Sequence, residues 1–227
     1  MGRHPQPCAY CGSTSDLTRD HIPPKNLFNK PRPQLITVSA CRDCNARFRL
    51  DDDYFWLTLA SRKETENNDE ATRASFRAIK NLVRPEAAGF RASFIAAVQP
   101  VSIRTAAGLY VGDTLAYDVA FARLNRVAAR ITRGLFAFER GAPLPSGYGA
   151  TARALEGFTQ PAEGSLRQLI GFAAGLPRKE IGRTFGYRFR TLSDDPNSSV
   201  TLFDIYETSI FIGLTIRASE ISWSEKV

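Results

Sequence analysis

Apolar and polar positions follow two kinds of pattern in the first part of the chain. They alternate over residues 17–22 and 35–40, as in short half-buried strands, and a proline-rich loop over residues 23–33 separates these stretches. From about residue 43 to residue 63, apolar side chains recur at intervals of three, four or seven, which predicts a helix. The pattern therefore predicts two strands, a long loop and a helix within the first 65 residues.

The rest of the chain begins with a polar, acidic segment, residues 64–70, which we interpret as a hinge. The helices predicted after it cover residues 71–83, 87–98 and 114–138, with a hairpin at 101–111. A Gly/Pro-rich connection at 141–149 precedes the predicted strands, residues 185–192, 200–206 and 209–216. The sequence thus predicts an α+β fold with two domains, residues 1–65 and residues 66–227. The second is a mixed α/β accessory domain with a C-terminal antiparallel sheet.

Charge and hydropathy narrow the class of protein. The net charge of +7 and the pI of about 9.5 fit an acidic partner such as nucleic acid, although an arginine-rich chain is also typical of a GC-rich genome. Residues 1–7 are polar, without the apolar stretch of a signal peptide, and no apolar run is long enough to span a membrane. We therefore expect a soluble cytoplasmic protein, in which thiols stay reduced.

The four cysteines form two Cys-x-x-Cys pairs, Cys8 with Cys11 and Cys41 with Cys44. Two such pairs can supply the four thiolates of a tetrahedral zinc site. A pair of redox dithiols is the alternative, but redox motifs usually occur singly, on a thioredoxin-like pattern that this chain lacks. Four protein thiolates close the coordination sphere. The predicted Zn²⁺ is therefore structural, and it should stabilise a segment too small to bury a large core.

Three polar residues lie between the two cysteine pairs or directly after them. Asp20 and His21 stand at the end of the first predicted strand, and Asn45 directly follows the last cysteine. This order of Asp-His, long loop, strand and Cys-x-x-Cys-Asn resembles the HNH (His-Me finger) endonucleases. It is closest to their zinc-containing, four-cysteine branch, which includes phage Holliday-junction resolvases. The resemblance covers residues 8–54. It implies a ββα-metal module in which one divalent cation, Mg²⁺ or Mn²⁺, holds the scissile phosphate.

The resemblance also implies a catalytic role for each of these residues. His21 would be the general base that activates the attacking water, and Asp20 and Asn45 would be ligands of the divalent cation. The chemistry of the residues agrees, because Mg²⁺ prefers oxygen ligands and histidine is mostly neutral near pH 7. The ordinary alternatives are a structural hydrogen bond for His21 and a helix N-cap for Asn45.

The chain departs from the common HNH pattern at three positions. Most members have histidine where Asn45 stands and a further histidine where Arg49 stands. The asparagine that usually braces the long loop is replaced by Ile36, and Asn26 or Asn29 is a candidate to take over its role. The Asp-His-Asn form is that of the resolvase-like branch, so we still expect catalysis.

Charged side chains flank the predicted site and recur on the longest predicted helix. Asp51, Asp52 and Asp53 occupy successive helix positions and cannot share one face, so a solvated patch is the favoured interpretation. The arginines expected to hold nucleic-acid phosphates are Arg42, Arg47, Arg49, Arg123, Arg126, Arg130 and Arg133. For the four on the long helix, an ordinary charged face is the alternative.

Together these patterns predict a metal-dependent DNA endonuclease that leaves 5′-phosphate and 3′-hydroxyl ends, with RNA left open as a substrate. The accessory domain would supply substrate choice, homodimerisation or the binding of an effector. Phage defence, mobile elements and restriction of modified DNA are compatible settings. The alternative is a non-catalytic, zinc-stabilised module that binds nucleic acid or protein. Such a module would need neither His21 nor Asn45.

Overall fold

The computed structural model describes residues 6–155 and 164–221, and the elements below lie within these ranges. The strands are β1 (Leu17–Ile22), β2 (Ile36–Cys41), β3 (Val98–Arg104), β4 (Tyr110–Tyr117), β5 (Tyr148–Ala154), β6 (Lys179–Ile181), β7 (Phe185–Thr191), β8 (Ser199–Ile205) and β9 (Ser209–Arg217). The helices are α1 (Arg42–Arg47), α2 (Arg49–Ala60), α3 (Asp69–Leu82), α4 (Ala88–Ala96), α5 (Phe121–Arg140) and α6 (Gly164–Ala174).

The fold is mixed α+β, and all of the strand pairs in the described ranges are antiparallel. β1 pairs with β2, and β3 pairs with β4, as two separate hairpins. The remaining strands form one five-stranded sheet in the order β5-β9-β8-β7-β6. The predicted C-terminal antiparallel sheet is therefore confirmed, and it contains two further strands, β5 and β6, that the sequence patterns did not predict. The helix α6 was not predicted either.

Two of the predicted helices have different bounds in the structure. The helix expected from residue 43 is divided at Phe48 into α1 and α2. The long helix begins at Phe121 rather than at residue 114, because residues 114–117 belong to β4. Leu115 fits both an alternating and a helical pattern, but it lies opposite Pro100 in the hairpin and is 73% exposed. The apolar stripe that is actually buried begins further along α5.

α5 lies between the β1–β2 hairpin and the C-terminal sheet. Two glycines permit this close packing, since a Cβ atom at Gly134 would collide with Ile22 of β1, and one at Gly213 of β9 would collide with Thr132. α5 is the longest of the helices. Nevertheless, across residues 6–155 and 164–221, no helix combines the length and the apolar character needed to cross a membrane.

One apolar cluster contains residues from both sides of the predicted domain boundary at residue 65. It includes Phe55 of α2 together with Phe203 and Phe211 of the C-terminal sheet. The rings of Phe55 and Phe211 have their centroids 5.5 Å apart. The division into two domains stays a prediction, and the two predicted units pack on one another through this shared core.

The segment interpreted as a hinge is attached to the C-terminal sheet. Asn68 is buried, and its side chain caps α3 by accepting a hydrogen bond from the backbone N–H of Ala71. Its amide nitrogen donates to the backbone carbonyls of Arg183 and Tyr206, at 3.0 and 3.1 Å. These contacts hold the start of α3 against the loops at the end of the sheet.

Candidate functional site

The two cysteine pairs meet at the start of the β1–β2 hairpin. The sulfur atoms of Cys8, Cys11, Cys41 and Cys44 all lie within 4.8 Å of one another, and those of Cys11 and Cys41 are 3.7 Å apart. A tetrahedral zinc ion about 2.3 Å from each sulfur requires sulfur–sulfur separations of about 3.8 Å. The spacing and the donor atoms therefore fit, and the four cysteines could bind a metal such as zinc.

The surroundings of the sulfurs favour a thiolate at Cys8 and oppose further thiolates at Cys11 and Cys44. Burial raises the pKa of Cys8, but backbone hydrogen bonds, including one from the N–H of Tyr10, outweigh burial and lower the pKa to about 7. Burial raises the pKa of Cys44 above its ordinary value, and the neighbouring cysteine sulfurs raise it further. Additional thiolates in this space would repel the first one, and a bound divalent cation removes that repulsion.

The three predicted catalytic residues line one cleft of about 390 Å³ beside the cysteine cluster. Asp20 and His21 lie near the end of β1, and Asn45 lies on α1. The side-chain nitrogen of Asn45 donates to the hydroxyl of Thr18, at 3.0 Å, and to the backbone carbonyl of Arg19, at 3.3 Å. These bonds orient the amide against β1 and leave its oxygen as the donor atom for a ligand.

His21 is half-buried at the cleft. Burial lowers its pKa below the ordinary value, and the positive charge of Lys25 lowers it further, against an opposing effect of Asp20. The imidazole is therefore neutral at pH 7, and a neutral imidazole has one nitrogen able to accept a proton.

Asp20 is buried, and its carboxylate is held by Tyr10 and Arg130. Oδ2 accepts hydrogen bonds from the hydroxyl of Tyr10, at 2.5 Å, and from the guanidinium of Arg130. Oδ1 accepts one bond, from Nη2 of Arg130 at 2.6 Å, among the residues that the structure describes. A carboxylate oxygen has two lone pairs, so Oδ1 keeps one for a further ligand.

The three consecutive aspartates do not form a solvated patch, so this interpretation was wrong. All three are partly buried and accept hydrogen bonds: Asp51 from Arg123 and Arg126, Asp52 from Arg130, and Asp53 from Asn26. Burial raises the pKa of Asp52 to about 6, although Arg130 opposes the rise. Asp52 and Asp53 also line the cleft, and they add negative charge beside Asn45.

Two asparagines brace the proline-rich loop. Asn26 donates to the backbone carbonyl of Asp52 at the start of α2, at 3.2 Å. Asn29 donates to the carbonyl of Glu70 at the start of α3, at 2.9 Å, and accepts from Arg77 at 2.9 Å. Both candidates named from the sequence therefore tie the loop to the helices behind it.

The arginines of α5 contact the N-terminal segment and differ in their exposure to solvent. Arg123 pairs with Asp51 and stacks over Tyr54, and the side chain of Arg130 is only 3% exposed. Arg130 therefore offers no surface to a phosphate, and its predicted role in binding nucleic acid is wrong. Arg126, which pairs with Asp51 but remains about half exposed, and Arg133, which donates to the carbonyl of Ala9, stay predictions.

The arginines near the cysteine pairs are exposed. Arg42 and Arg49 line the cleft together with Arg19 and Lys25, so positive charge surrounds its entrance. Arg47 lies on α1 outside the lining.

Sequence reasoning missed the partners of Asp20. The burial of Arg130 could have been predicted from its spacing. It stands three residues after Val127 and four before Gly134, on the side of the helix that packs inward. A buried arginine requires carboxylate partners, and Asp20 and Asp52 are those partners.

No family model, no curated protein and no solved structure matches this chain. The resemblance to HNH nucleases therefore stays a prediction that rests on residues 8–54.

Proposed function

We propose that this chain is a metal-dependent endonuclease of the HNH type that hydrolyses phosphodiester bonds of DNA. The observation that carries the proposal is the meeting of Asp20, His21 and Asn45 at one cleft bordered by basic side chains. Asp20 and His21 are adjacent, whereas Asn45 lies 24 residues after His21, and the hydrogen bonds of Asn45 to β1 bring its amide beside the Asp-His pair. A structural role alone would not require this combination beside a cysteine cluster.

Each of the three residues would have its own role in the reaction. Oδ1 of Asp20 and the amide oxygen of Asn45 would hold a Mg²⁺ or Mn²⁺ ion, which keeps water in its other positions. Such a cation, when bound, stabilises negative charge on the phosphate and on the departing 3′-oxygen. His21 would take a proton from the water that attacks phosphorus, the bond from phosphorus to the 3′-oxygen would break, and the departing 3′-oxygen would take up a proton from solvent. The products are a 5′-phosphate and a 3′-hydroxyl.

The exposed basic residues at the entrance would hold the sugar–phosphate backbone. Arg42 and Arg49 carry fixed positive charge and planar guanidinium groups that match phosphate oxygens. Contacts of this kind position a nucleic acid without reading its sequence. They therefore support a nucleic-acid substrate but do not distinguish DNA from RNA.

A second candidate function is a non-catalytic, metal-stabilised module that binds nucleic acid or protein. The observation that favours it is the state of Asp20, whose two oxygens already accept hydrogen bonds from Tyr10 and Arg130. If the carboxylate serves only as a structural anchor, no divalent cation needs to bind in the cleft.

Cleavage of supercoiled plasmid in Mg²⁺, Mn²⁺ or EDTA separates the two candidates. The wild type should nick and linearise the plasmid only with a divalent cation. His21→Ala, at matched zinc content, should lower the rate about 10²–10⁴-fold, the usual effect of losing a general base. Asn67→Ala, an exposed substitution outside the cleft, is the matched control and should cleave normally.

Binding measurements on the same proteins complete the test. The nuclease proposal expects His21→Ala to retain DNA affinity while losing cleavage. A wild type that cuts neither DNA nor RNA with any cation, yet binds nucleic acid as tightly as His21→Ala, supports the binding module instead. If the wild type cleaves RNA but not DNA, the proposed hydrolysis of phosphodiester bonds stands and the proposed substrate is wrong.

A further inference from the structure

We infer that Arg130 of α5 is a positioning residue for the cleft, which orients Asp20 for its cation and makes the site depend on the accessory part of the chain. This inference rests on the proposed function. Arg130 lies 110 residues after Asp20 in the sequence, within the segment predicted to be a separate domain. It nevertheless contacts several of the elements that build the cleft.

The guanidinium of Arg130 joins two carboxylates from different elements. Nη2 and Nε hold Asp20 on β1, at 2.6 to 3.1 Å, and Nη1 holds both oxygens of Asp52 on α2, at 2.7 and 2.9 Å. All three nitrogens are therefore used. Because the guanidinium is planar and rigid, this double fork fixes the direction of the Asp20 carboxylate as well as its place.

Aromatic rings complete the surroundings of Arg130. Its guanidinium carbon lies 4.8 Å from the ring centroid of Phe48, the residue between α1 and α2, and 5.7 Å from that of Tyr10. Tyr10 lies between Cys8 and Cys11 and also donates to Asp20. Arg130 thus connects the first cysteine pair, β1 and the junction that follows Asn45.

Charge alone does not explain this arrangement. A positive guanidinium 2.6 Å from Oδ1 of Asp20 repels a divalent cation at the same carboxylate, so its charge opposes metal binding. Asp52 offsets the charge of Arg130, which leaves the negative charge of Asp20 available to a cation. What Arg130 contributes is orientation, since it holds Oδ2 and Oδ1 of a residue that lines the cleft, and a carboxylate oxygen with one hydrogen bond keeps a second lone pair for a ligand.

Orientation and charge predict opposite effects of substitution. If Arg130 acted only through its charge, Arg130→Gln would tighten cation binding, and Arg130→Lys would leave it unchanged. If Arg130 orients Asp20, both substitutions should weaken binding, because neither side chain can form the double fork. Removing partners that orient metal ligands typically lowers metal affinity or activity about 10–100-fold.

The test is calorimetric titration of Mn²⁺ into the zinc-loaded full chain, together with kcat and KM for plasmid cleavage. We expect the Kd for Mn²⁺ to rise about 10–100-fold in Arg130→Gln and by a smaller factor in Arg130→Lys. kcat should fall in the same order while KM for DNA stays nearly constant. Arg178→Gln, which breaks a two-oxygen contact with Asp204 on the C-terminal sheet, is the matched control and should leave Mn²⁺ binding unchanged.

The outcomes separate this inference from the proposed function. Mn²⁺ binding in Arg130→Gln that is equal to or tighter than in the wild type overturns the positioning role. If Arg130→Gln does not fold, as judged by circular dichroism and zinc content, an unchanged Kd in Arg130→Lys overturns it equally. A wild type whose Mn²⁺ binding is absent, or is insensitive to Asn45→Ala, contradicts the proposed function itself.

Discussion

The cysteine region and the C-terminal sheet are stabilised by different interactions. In the sheet, Phe203 and Phe211 are almost fully buried, and their rings stack with centroids 5.1 Å apart. The cysteines contribute to a smaller apolar cluster of Cys8, Ala40 and Cys41, while Ala9 and Val38 beside them belong to the main cluster. The ion pair of Asp20 with Arg130 and four cysteines that could bind a metal accompany this smaller cluster. The candidate site lies beside this smaller cluster.

This difference has a physical reason. Apolar packing is not directional, so it stabilises a sheet without fixing the direction of any polar atom. Hydrogen bonds and ion pairs do fix direction, as the contacts of Asp20 with Tyr10 and Arg130 show. A site that must present two oxygens and an imidazole at one cleft therefore needs contacts of the second kind around it.

Removing the metal should cause the largest loss of stability, and this loss should be confined to the cysteine region. With a strong zinc chelator, we expect backbone amides of residues 8–17 and 36–47 to lose protection from hydrogen exchange, while residues 185–217 keep theirs. Zinc contributes about 10 kcal/mol or more to folding in small cysteine-rich sites, and few apolar contacts are present here to replace it. Hydrogen-exchange mass spectrometry with and without chelator measures both regions at once.

Two results would contradict this expectation. Unchanged protection at the cysteine pairs would mean that the segment needs no metal to fold. Equal loss of protection over residues 185–217 would mean that the shared core transmits the loss to the sheet, so that the two regions unfold as one.

Removing an aromatic ring from the sheet should have the next largest effect. Phe203→Ala should lower the free energy of unfolding by about 3–5 kcal/mol, because the ring is 1% exposed and its loss leaves a cavity among packed neighbours. Urea denaturation followed by circular dichroism measures the change. Phe138→Ala, at a phenylalanine that is 46% exposed, is the control and should stay within about 0.5 kcal/mol. Similar effects of both substitutions would argue against a packed core in this sheet.

Sequence patterns predicted the elements where periodicity was local. The bounds of β1 agree with the alternating stretch at residues 17–22, and the strands β7, β8 and β9 agree to within about a residue. The start of α5 was wrong because Leu115 satisfies both periodicities, and only pairing with β3 decides between them. The local pattern of apolar residues cannot decide whether such a segment forms a helix or a strand.

The candidate site was predictable in its residue types but not in its contacts. The spacing of the cysteines predicted that they would meet, because each pair forms one tight turn. The carboxylate partners of Arg130 lie 78 and 110 residues away in the sequence. Spacing along α5 therefore identified the row of arginines but not the carboxylates that pair with it. The row of arginines and the three aspartates were each interpreted alone, although the structure pairs them with one another.

The smallest expected effect concerns the segment that joins the two regions. Asn68→Asp keeps the oxygen that caps α3 but replaces the nitrogen that donates to the carbonyls of Arg183 and Tyr206. Those carbonyls would lose their donor and face a carboxylate, so we expect a loss of about 1–3 kcal/mol in urea denaturation. Asn67→Asp, at the exposed neighbouring position, should change stability by no more than about 0.5 kcal/mol. If both substitutions have the same small effect, residues 64–70 behave as the hinge that their composition predicts, and the two regions are joined only by the core that they share.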